Sequence, residues 1–207
     1  MAITTYSELQ ASLADWLLRD DLTTVIPTFI SLAEAQMSRS LSHWRQETRS
    51  DAQIDARYSD LPANWLSPIR LSVSTGSGPV ELEPMSYSEM LDARTRSADA
   101  VGTPRYYSIS AGSLEIYPTP SGTFDVTMLY RGAVPALTDS ATTNWLLTYA
   151  PDAYLYGSLL QAAPYLSDDA RIGVWGSLYE NAITGLNADS DKAKHGGSGQ
   201  RMKIRSY

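Results

Sequence analysis

The chain has 207 residues and no cysteine, which excludes disulfides, thiolate metal sites and a cysteine nucleophile. Its formal net charge of −7 is unevenly spread, because residues 192–207 hold five basic and no acidic residues, whereas residues 1–191 hold 11 basic and 23 acidic residues. An acidic body of this kind argues against non-specific wrapping of nucleic acid.

Two amphipathic helices are predicted at the start of the chain. Thr5 and Glu8 have the spacing of a capping box, which predicts that the first helix begins at Thr5. Its apolar face is formed by Leu9, Leu13, Trp16 and Leu17. The second helix is expected to start at Thr23 or Thr24 and to run to Trp44. The short connection favours an antiparallel pair.

Residues 46–132 have the character of β-structure. Short runs rich in Val, Ile, Thr and Tyr are separated by Gly and Pro, as in an antiparallel sheet built from hairpins. The runs are ETRSDAQID, PIRLSVST, PVELEP, RYYSIS, SLEIYP and FDVTMLYRG. One hairpin is expected to turn at Ala111–Gly112. Ser86 and Glu89 form a second capping box, which predicts a short helix inside this region.

Two more helices are predicted after the β-region. The first has Pro151 near its start and is ended or kinked by Pro164. The second is expected to begin with Ser167 as N-cap and with Asp168 and Asp169 in its first turn. Its apolar stripe contains Ile172, Trp175, Leu178 or Tyr179, Ala182 and Leu186.

These elements predict an α+β fold. An N-terminal and a C-terminal pair of bundled, antiparallel helices enclose an inserted antiparallel β-hairpin region, and an extended C-terminal tail follows. The expected domains are a helical bundle of residues 1–45 and 133–194, a β-rich insertion of residues 46–132, and a tail of residues 195–207.

No catalytic, metal or cofactor site is predicted. The only histidines, His43 and His195, have no Cys or His at metal-ligand spacing, and there is no nucleophile elbow or phosphate-binding loop. His43 is expected at a helix end, where an imidazolium favours the last carbonyls. We therefore expect neither an enzyme nor a cofactor. No run of about 18 apolar residues and no signal peptide is visible, so no membrane association is expected.

The basic tail has an alternating pattern. Arg201, Lys203 and Arg205 alternate with Met202 and Ile204, so an extended tail has one charged and one apolar side. This pattern suits strand addition to a partner, or a groove with an acidic side. Two alternatives stay open, namely a solvated terminus without a partner and a DNA-binding arm.

Five segments carry a resemblance to a known family. They are FISLAEAQMSRSL, LPANWLSPIRL, GTPRYYSISAGSLEIYPTP, TNWLLTYAPDAYLYGSLLQAAPYLSDDAR and GGSGQRMKI, in this order. Together they resemble the tailed-bacteriophage head-to-tail adaptor family, also called head completion or connector proteins, over nearly the full length of the chain.

The resemblance implies an oligomeric ring, usually of twelve subunits, beneath the portal at the phage neck. The bundle would form the ring, the β-region would elaborate it, and the tail would reach up to the portal. The implied portal-binding residues are Arg201, Met202, Lys203, Ile204, Arg205 and Tyr207. The candidate ring-interface residues are Trp16, Trp145, Tyr154 and Trp175.

The implied partners are other copies of the chain, the portal protein and a downstream tail or nozzle/stopper protein. Genomic DNA would pass through the lumen without sequence-specific binding. The implied location is the virion neck, after assembly in the host cytoplasm.

A second interpretation is a carbohydrate- or surface-binding virion module. The chain has 13 Tyr and five Trp against two Phe, and Tyr and Trp suit interfaces because each joins a large apolar body to a polar group. Exposure of Tyr106, Tyr107, Tyr117 and Tyr130 would support this interpretation. A hydrolase ranks far below both interpretations, because no acid, base and nucleophile can be named.

Overall fold

The computed structural model describes residues 2–98, 100–166 and 171–196, and within them the chain is α+β, as predicted. The α-helices are α1 (Tyr6–Leu17), α2 (Ile26–Ser40), α3 (Tyr87–Arg96), α4 (Trp145–Tyr149), α5 (Pro151–Leu166) and α6 (Ile172–His195). The strands are β1 (Glu47–Ile54), β2 (Tyr58–Asp60), β3 (Trp65–Thr75), β4 (Gly78–Glu81), β5 (Glu83–Pro84), β6 (Val101–Gly102), β7 (Tyr106–Ser110), β8 (Ser113–Tyr117), β9 (Thr119–Pro120) and β10 (Phe124–Gly132).

The chain divides into two compact units. The helical unit comprises Met1–Gln46 and Ala133–Tyr207, and the β-unit comprises Glu47–Gly132.

Local capping chemistry sets the start of α1. The backbone N–H of Glu8 donates to Thr5 Oγ1 at 3.3 Å, and Glu8 Oε2 accepts from the backbone N–H of Thr5 at 3.0 Å. The predicted capping box is therefore confirmed.

The bounds of α2 differ from the prediction at both ends. The helix begins at Ile26, because Pro27 is tolerated only in the first turn and so fixes where the helix can start. The N-cap residue is Val25, which makes no side-chain hydrogen bond to the helix. The helix ends at Ser40, and a 3₁₀ turn follows at Trp44–Gln46. Beyond Ser40, two backbone N–H groups donate to side chains of α6. The N–H of Ser42 donates to Asn187 Oδ1 at 2.8 Å, and the N–H of Trp44 donates to Ser190 Oγ at 2.9 Å. Long-range contacts thus replace the last predicted helical turn.

Helix α5 lies at the centre of the helical unit and contacts α1, α2, α4 and α6. Helix α1 also contacts α2, but α2 packs more extensively against α5 than against α1. Gly157 permits the close approach of α5 and α6, because a Cβ at that position would lie 3.0 Å from the ring of Tyr179.

The buried face of α6 contains Trp175, Tyr179, Ile183, Leu186 and Ser190. Of the two alternatives for its third apolar position, Tyr179 is buried and Leu178 is exposed. Helix α6 begins at Ile172 with Arg171 at its N-cap, which makes no side-chain cap. The predicted capping residues Ser167, Asp168 and Asp169 lie outside the described residues.

The β-unit contains two four-stranded sheets and one small pair. The strand orders are β1-β10-β3-β4 and β2-β8-β7-β5, with β6 paired to β9. Most pairs are antiparallel, as predicted, but β5 pairs with β7 and β6 with β9 in parallel. The run PVELEP also splits, because its β4 and β5 halves join different sheets on either side of the buried Leu82.

The predicted hairpin at Ala111–Gly112 is present between β7 and β8. Both residues have positive φ, 50° for Ala111 and 77° for Gly112, as a two-residue hairpin turn with the twist of the flanking strands requires.

A buried ion pair joins α3 to β8. Arg94 and Glu115 have 4% and 1% of their side chains exposed, and Arg94 Nε lies 2.9 Å from Glu115 Oε1. The same oxygen accepts from Arg57 Nε at 2.9 Å. Arg94 further donates to Thr119 Oγ1 at 3.0 Å and to the carbonyl of Ile116 at 2.6 Å. Long-range polar contacts therefore fix this helix on the sheet.

Candidate interaction surfaces

The described residues contain no group of three or more His, Asp or Glu side chains that could hold a metal ion. The features of the helical unit that suit recognition are instead two partly exposed aromatic surfaces.

The first surface, here called the Trp44 surface, consists of Trp44, Arg45 and Tyr149. The guanidinium of Arg45 lies 4.8 Å from the ring centre of Trp44 and 4.9 Å from that of Tyr149. The two rings are 42% and 47% exposed, and Arg45 makes no ion pair within the described part of the chain. A cation held between two aromatic faces is ordered before any partner arrives.

His43 supports this surface from behind. Its ring stacks on Trp145 at 5.3 Å and on Trp44 at 5.7 Å, and its side chain is almost fully buried. Its Nδ1 accepts from the backbone N–H of Arg45 at 3.2 Å. Burial first, and then the charge of Arg45, lower the pKa of His43. The predicted role as a charged cap at a helix end is therefore wrong, because α2 has already ended at Ser40 and the imidazole is buried in an aromatic stack.

A buried network positions α4, which carries Tyr149. Glu34 Oε1 accepts from the backbone N–H of Leu137 at 2.8 Å and from the hydroxyl of Tyr154 at 3.1 Å. Asn144 Nδ2 donates to the same hydroxyl at 2.6 Å, and Asn144 Oδ1 caps α4 by accepting from the N–H of Leu147 at 2.8 Å. The segment after β10 is thus held to α2 and α5 by one carboxylate.

Burial raises the pKa of Glu34 above its usual 4.5, against the lowering effect of its two donors. A raised carboxyl pKa means that the folded state favours the protonated form, so this contribution to stability is full below the unfolded pKa and is lost as pH rises through the folded pKa. We expect Glu34→Gln, which lacks the titration, to gain in unfolding free energy relative to the natural chain as pH rises above about 4.5. Urea denaturation of both chains between pH 3.5 and 7.5 measures this difference.

The capping residue Glu89 offers a control for the Glu34 experiment. Its side-chain and backbone hydrogen bonds with Ser86 lower its pKa, so its contribution is present above the unfolded pKa and is lost as pH falls. Glu89→Gln should therefore show the opposite trend with pH. A Glu34→Gln difference that is constant or moves the other way would contradict the role given to burial.

The second surface, here called the Trp16 surface, consists of Trp16, Leu18, Tyr165 and Ile172. These side chains are 41%, 81%, 55% and 36% exposed. Arg171 Nη1 donates to the carbonyl of Trp16 at 3.0 Å, which brings the end of α1 to the start of α6. Leu18 caps α1 with φ 53°, in the left-handed region.

The charged side chains beside the Trp16 surface are mostly acidic. Asp21 pairs with Arg19 at 2.6 Å. Asp15 and Asp20 are exposed and make no ion pair within the described ranges. This end of the helical unit therefore presents apolar side chains next to two unpaired carboxylates.

Comparison of the whole sequence with protein families gives one finding. The family model described as SU10 adaptor protein matches residues 4–202. The chain belongs to the SU10 adaptor protein family. No curated protein matches the sequence. The family is one of phage head-to-tail adaptors, which are structural proteins of the virion, as the resemblance implied. None of the helices in the described ranges has the length and apolar character needed to cross a membrane.

The structure separates the four ring-interface candidates of this SU10 adaptor. Trp16 is partly exposed, and Trp145 is half-buried against His43. Tyr154 and Trp175 lie in the core of their own chain, with 0% and 2% exposed, so their side chains do not reach the surface. Sequence reasoning missed Trp44, Tyr149 and Leu18, although the adjacent Trp44 and Arg45 were a readable signal for a cation–aromatic pair.

The four tyrosines named for the carbohydrate-binding interpretation are not exposed. Tyr107, Tyr117 and Tyr130 are buried, and Tyr106 is half-buried. Tyr130 donates its hydroxyl to Asn64 Oδ1 at 2.8 Å, and Tyr117 donates to the carbonyl of Ala93 at 3.3 Å. The hydroxyls of Tyr117 and Tyr130 are occupied inside the unit, so the four named tyrosines do not supply the exposed surface that would support carbohydrate binding, whereas Tyr58 and Tyr87 are exposed.

The predicted tail starts later than expected, because His195 is the last residue of α6. The residues predicted to bind the portal lie outside the described residues: Arg201, Met202, Lys203, Ile204, Arg205 and Tyr207. The family match nevertheless extends to Met202.

Proposed function

We propose that this SU10 adaptor forms a closed ring, of twelve subunits, that joins the portal of the DNA-filled capsid to the tail and leaves a channel for DNA. The observation that carries this proposal is the family match over residues 4–202, which includes both units and the start of the basic tail. The acidic charge of residues 1–191 supports passage of DNA without sequence-specific binding.

The proposal divides the work among three parts of the chain. The helical unit builds the ring, the β-unit elaborates it, and residues 195–207 bind the portal. The tail would present Arg201, Lys203 and Arg205 to acidic portal groups and bury Met202 and Ile204 as an added strand. The opposite side of the ring would receive the tail or nozzle/stopper protein, in the virion neck and after assembly in the host cytoplasm.

A chain ending at Gly196 is expected to lose portal binding. The deletion leaves α6 complete and removes all the alternating residues, so affinity for the portal should fall at least about tenfold, or about 1.4 kcal/mol. Co-sedimentation with the portal protein and negative-stain imaging of the complex measure the effect.

A matched control tests whether portal binding depends on the alternating order of charged and apolar residues or only on the net charge of the tail. Exchanging Met202 with Lys203 keeps the composition and charge but puts a cation on the apolar side of the extended segment, and it should weaken binding as the deletion does. A deleted chain that still assembles with the portal would refute the tail's role. A different outcome is that the chain binds DNA in the absence of portal, with an affinity that falls steeply as salt is added. If deletion of the tail removes this binding, the DNA-binding arm is favoured.

A further inference from the structure

The Trp16 and Trp44 surfaces lie at opposite ends of the helical unit. Helix α2 follows the loop after Leu18 and ends shortly before Trp44, and its 15 residues span about 22 Å at 1.5 Å per residue. Helix α6 runs the same course, since Arg171 at its start contacts Trp16 and Ser190 near its end contacts Trp44. One molecule therefore cannot join its own two surfaces.

Leu18 ends α1 in a costly backbone conformation, in which its N–H bonds carbonyls of the last turn but its side chain projects into solvent. A left-handed φ of 53° is usual for glycine at a helix C-terminus and unfavourable for a side chain with a Cβ. The side chain is also 81% exposed. An observed backbone outlier that projects an apolar side chain into solvent supports a contact with another molecule.

The two surfaces are complementary in chemistry. The Trp44 surface presents two aromatic faces and the unpaired guanidinium of Arg45. The Trp16 surface presents Leu18 and the unpaired carboxylates of Asp15 and Asp20. Trp, Tyr and Arg are the residues that most often carry binding energy at protein interfaces.

We infer that the Trp16 surface of one copy docks on the Trp44 surface of the next copy. Leu18 packs against the rings of Trp44 and Tyr149, and Asp15 or Asp20 accepts hydrogen bonds from Arg45. Because the two surfaces differ and lie at opposite ends of the helical unit, the contact is heterologous, and a heterologous contact builds a ring when the rotation from copy to copy closes, as the proposed function requires. The inference rests on the proposed function and names the interface that closes the proposed ring.

Cysteine cross-linking tests the contact directly, because the natural chain has no cysteine. Under mild oxidation in the presence of the portal, Leu18→Cys with Tyr149→Cys is expected to give a ladder of disulfide-linked oligomers. The control pair Leu18→Cys with Thr184→Cys, which uses an exposed position on α6, should give no ladder. Equal ladders, or a ladder from the control alone, would overturn the inference.

Charge reversal tests the direction of the contact. Arg45→Glu and Asp20→Arg should each reduce ring formation at least tenfold by mass photometry. A mixture of the two variants has complementary charges at both contacts between unlike chains, the natural Asp20–Arg45 pair at one and the exchanged pair at the other, and should recover rings in which the two chains alternate. Both changes in one chain restore complementarity and should restore rings. Single variants that assemble like the natural chain would contradict the assignment.

Leu18→Gly is expected to stabilise the unassembled chain and to prevent its assembly. Relief of the left-handed strain should raise the melting temperature of the unassembled chain by a few degrees, while loss of the leucine should abolish ring formation. Leu32→Ala, at a half-exposed position on α2, should leave assembly unchanged. If the natural chain never assembles with the portal, the proposed function fails; if all variants assemble equally, only the named interface fails.

Discussion

Glu115→Ala is expected to lower the free energy of unfolding by about 3–5 kcal/mol, because it leaves a buried guanidinium without its counter-charge. Arg94 and Glu115 are 4% and 1% exposed, so water cannot replace the lost carboxylate. The same carboxylate also neutralises Arg57, which is 33% exposed at the side chain. Urea denaturation followed by circular dichroism measures the change.

Two further variants distinguish the loss of the charge pair from the loss of packing. Arg57→Ala should cost only about 1 kcal/mol, since its partner keeps Arg94 and the site is partly solvated. Replacing Arg94 with Met and Glu115 with Leu together should recover most of the stability, because apolar side chains of similar volume need no counter-charge. A cost below about 1 kcal/mol for Glu115→Ala would exclude the strong ion pair.

Trp175→Ala is expected to cost about 3–5 kcal/mol of unfolding free energy in the unassembled chain, because it opens a cavity in the helical core. The Trp175 side chain is 2% exposed, and Arg171 stacks on its ring at 4.9 Å. Denaturation at a concentration below that of ring formation isolates this effect from assembly.

Trp16→Ala is the matched control for Trp175→Ala. Trp16 is 41% exposed and rests edge-on against Tyr156 at 5.9 Å, so its removal should cost less than about 1 kcal/mol and should instead reduce ring formation. If Trp175→Ala leaves the unassembled chain stable but stops assembly, its placement in the core is wrong and its earlier candidacy for the ring interface returns.

The parts of the fold that depend on neighbouring residues could be predicted from the sequence. Thr5 with Glu8 and Ser86 with Glu89 form their capping boxes in the structure, because each box is complete within four residues. The hairpin at Ala111–Gly112 is equally local. The end of α2 could not be predicted, because it depends on Asn187 and Ser190 in a distant helix.

The candidate surfaces were harder to predict than the elements that carry them. Trp16 and Leu17 both belong to the apolar pattern of α1, yet only Leu17 is buried. Trp175 follows the same helical spacing and is a core residue. Periodicity identifies a face of a helix but not the depth to which each position is covered, and this depth decides whether a tryptophan stabilises the fold or remains available to a partner.

The first and last strands of the β-unit have an evolutionary consequence. Strands β1 and β10 are direct neighbours, with Glu47 opposite Arg131, and such partners lie about 5 Å apart. The two points at which this unit leaves and rejoins the rest of the polypeptide are therefore adjacent. A gene segment with this geometry can be gained, lost or exchanged in one recombination event, with only a few linker residues needed to close the gap. Related phages could thus vary this unit independently of the helices on either side of it.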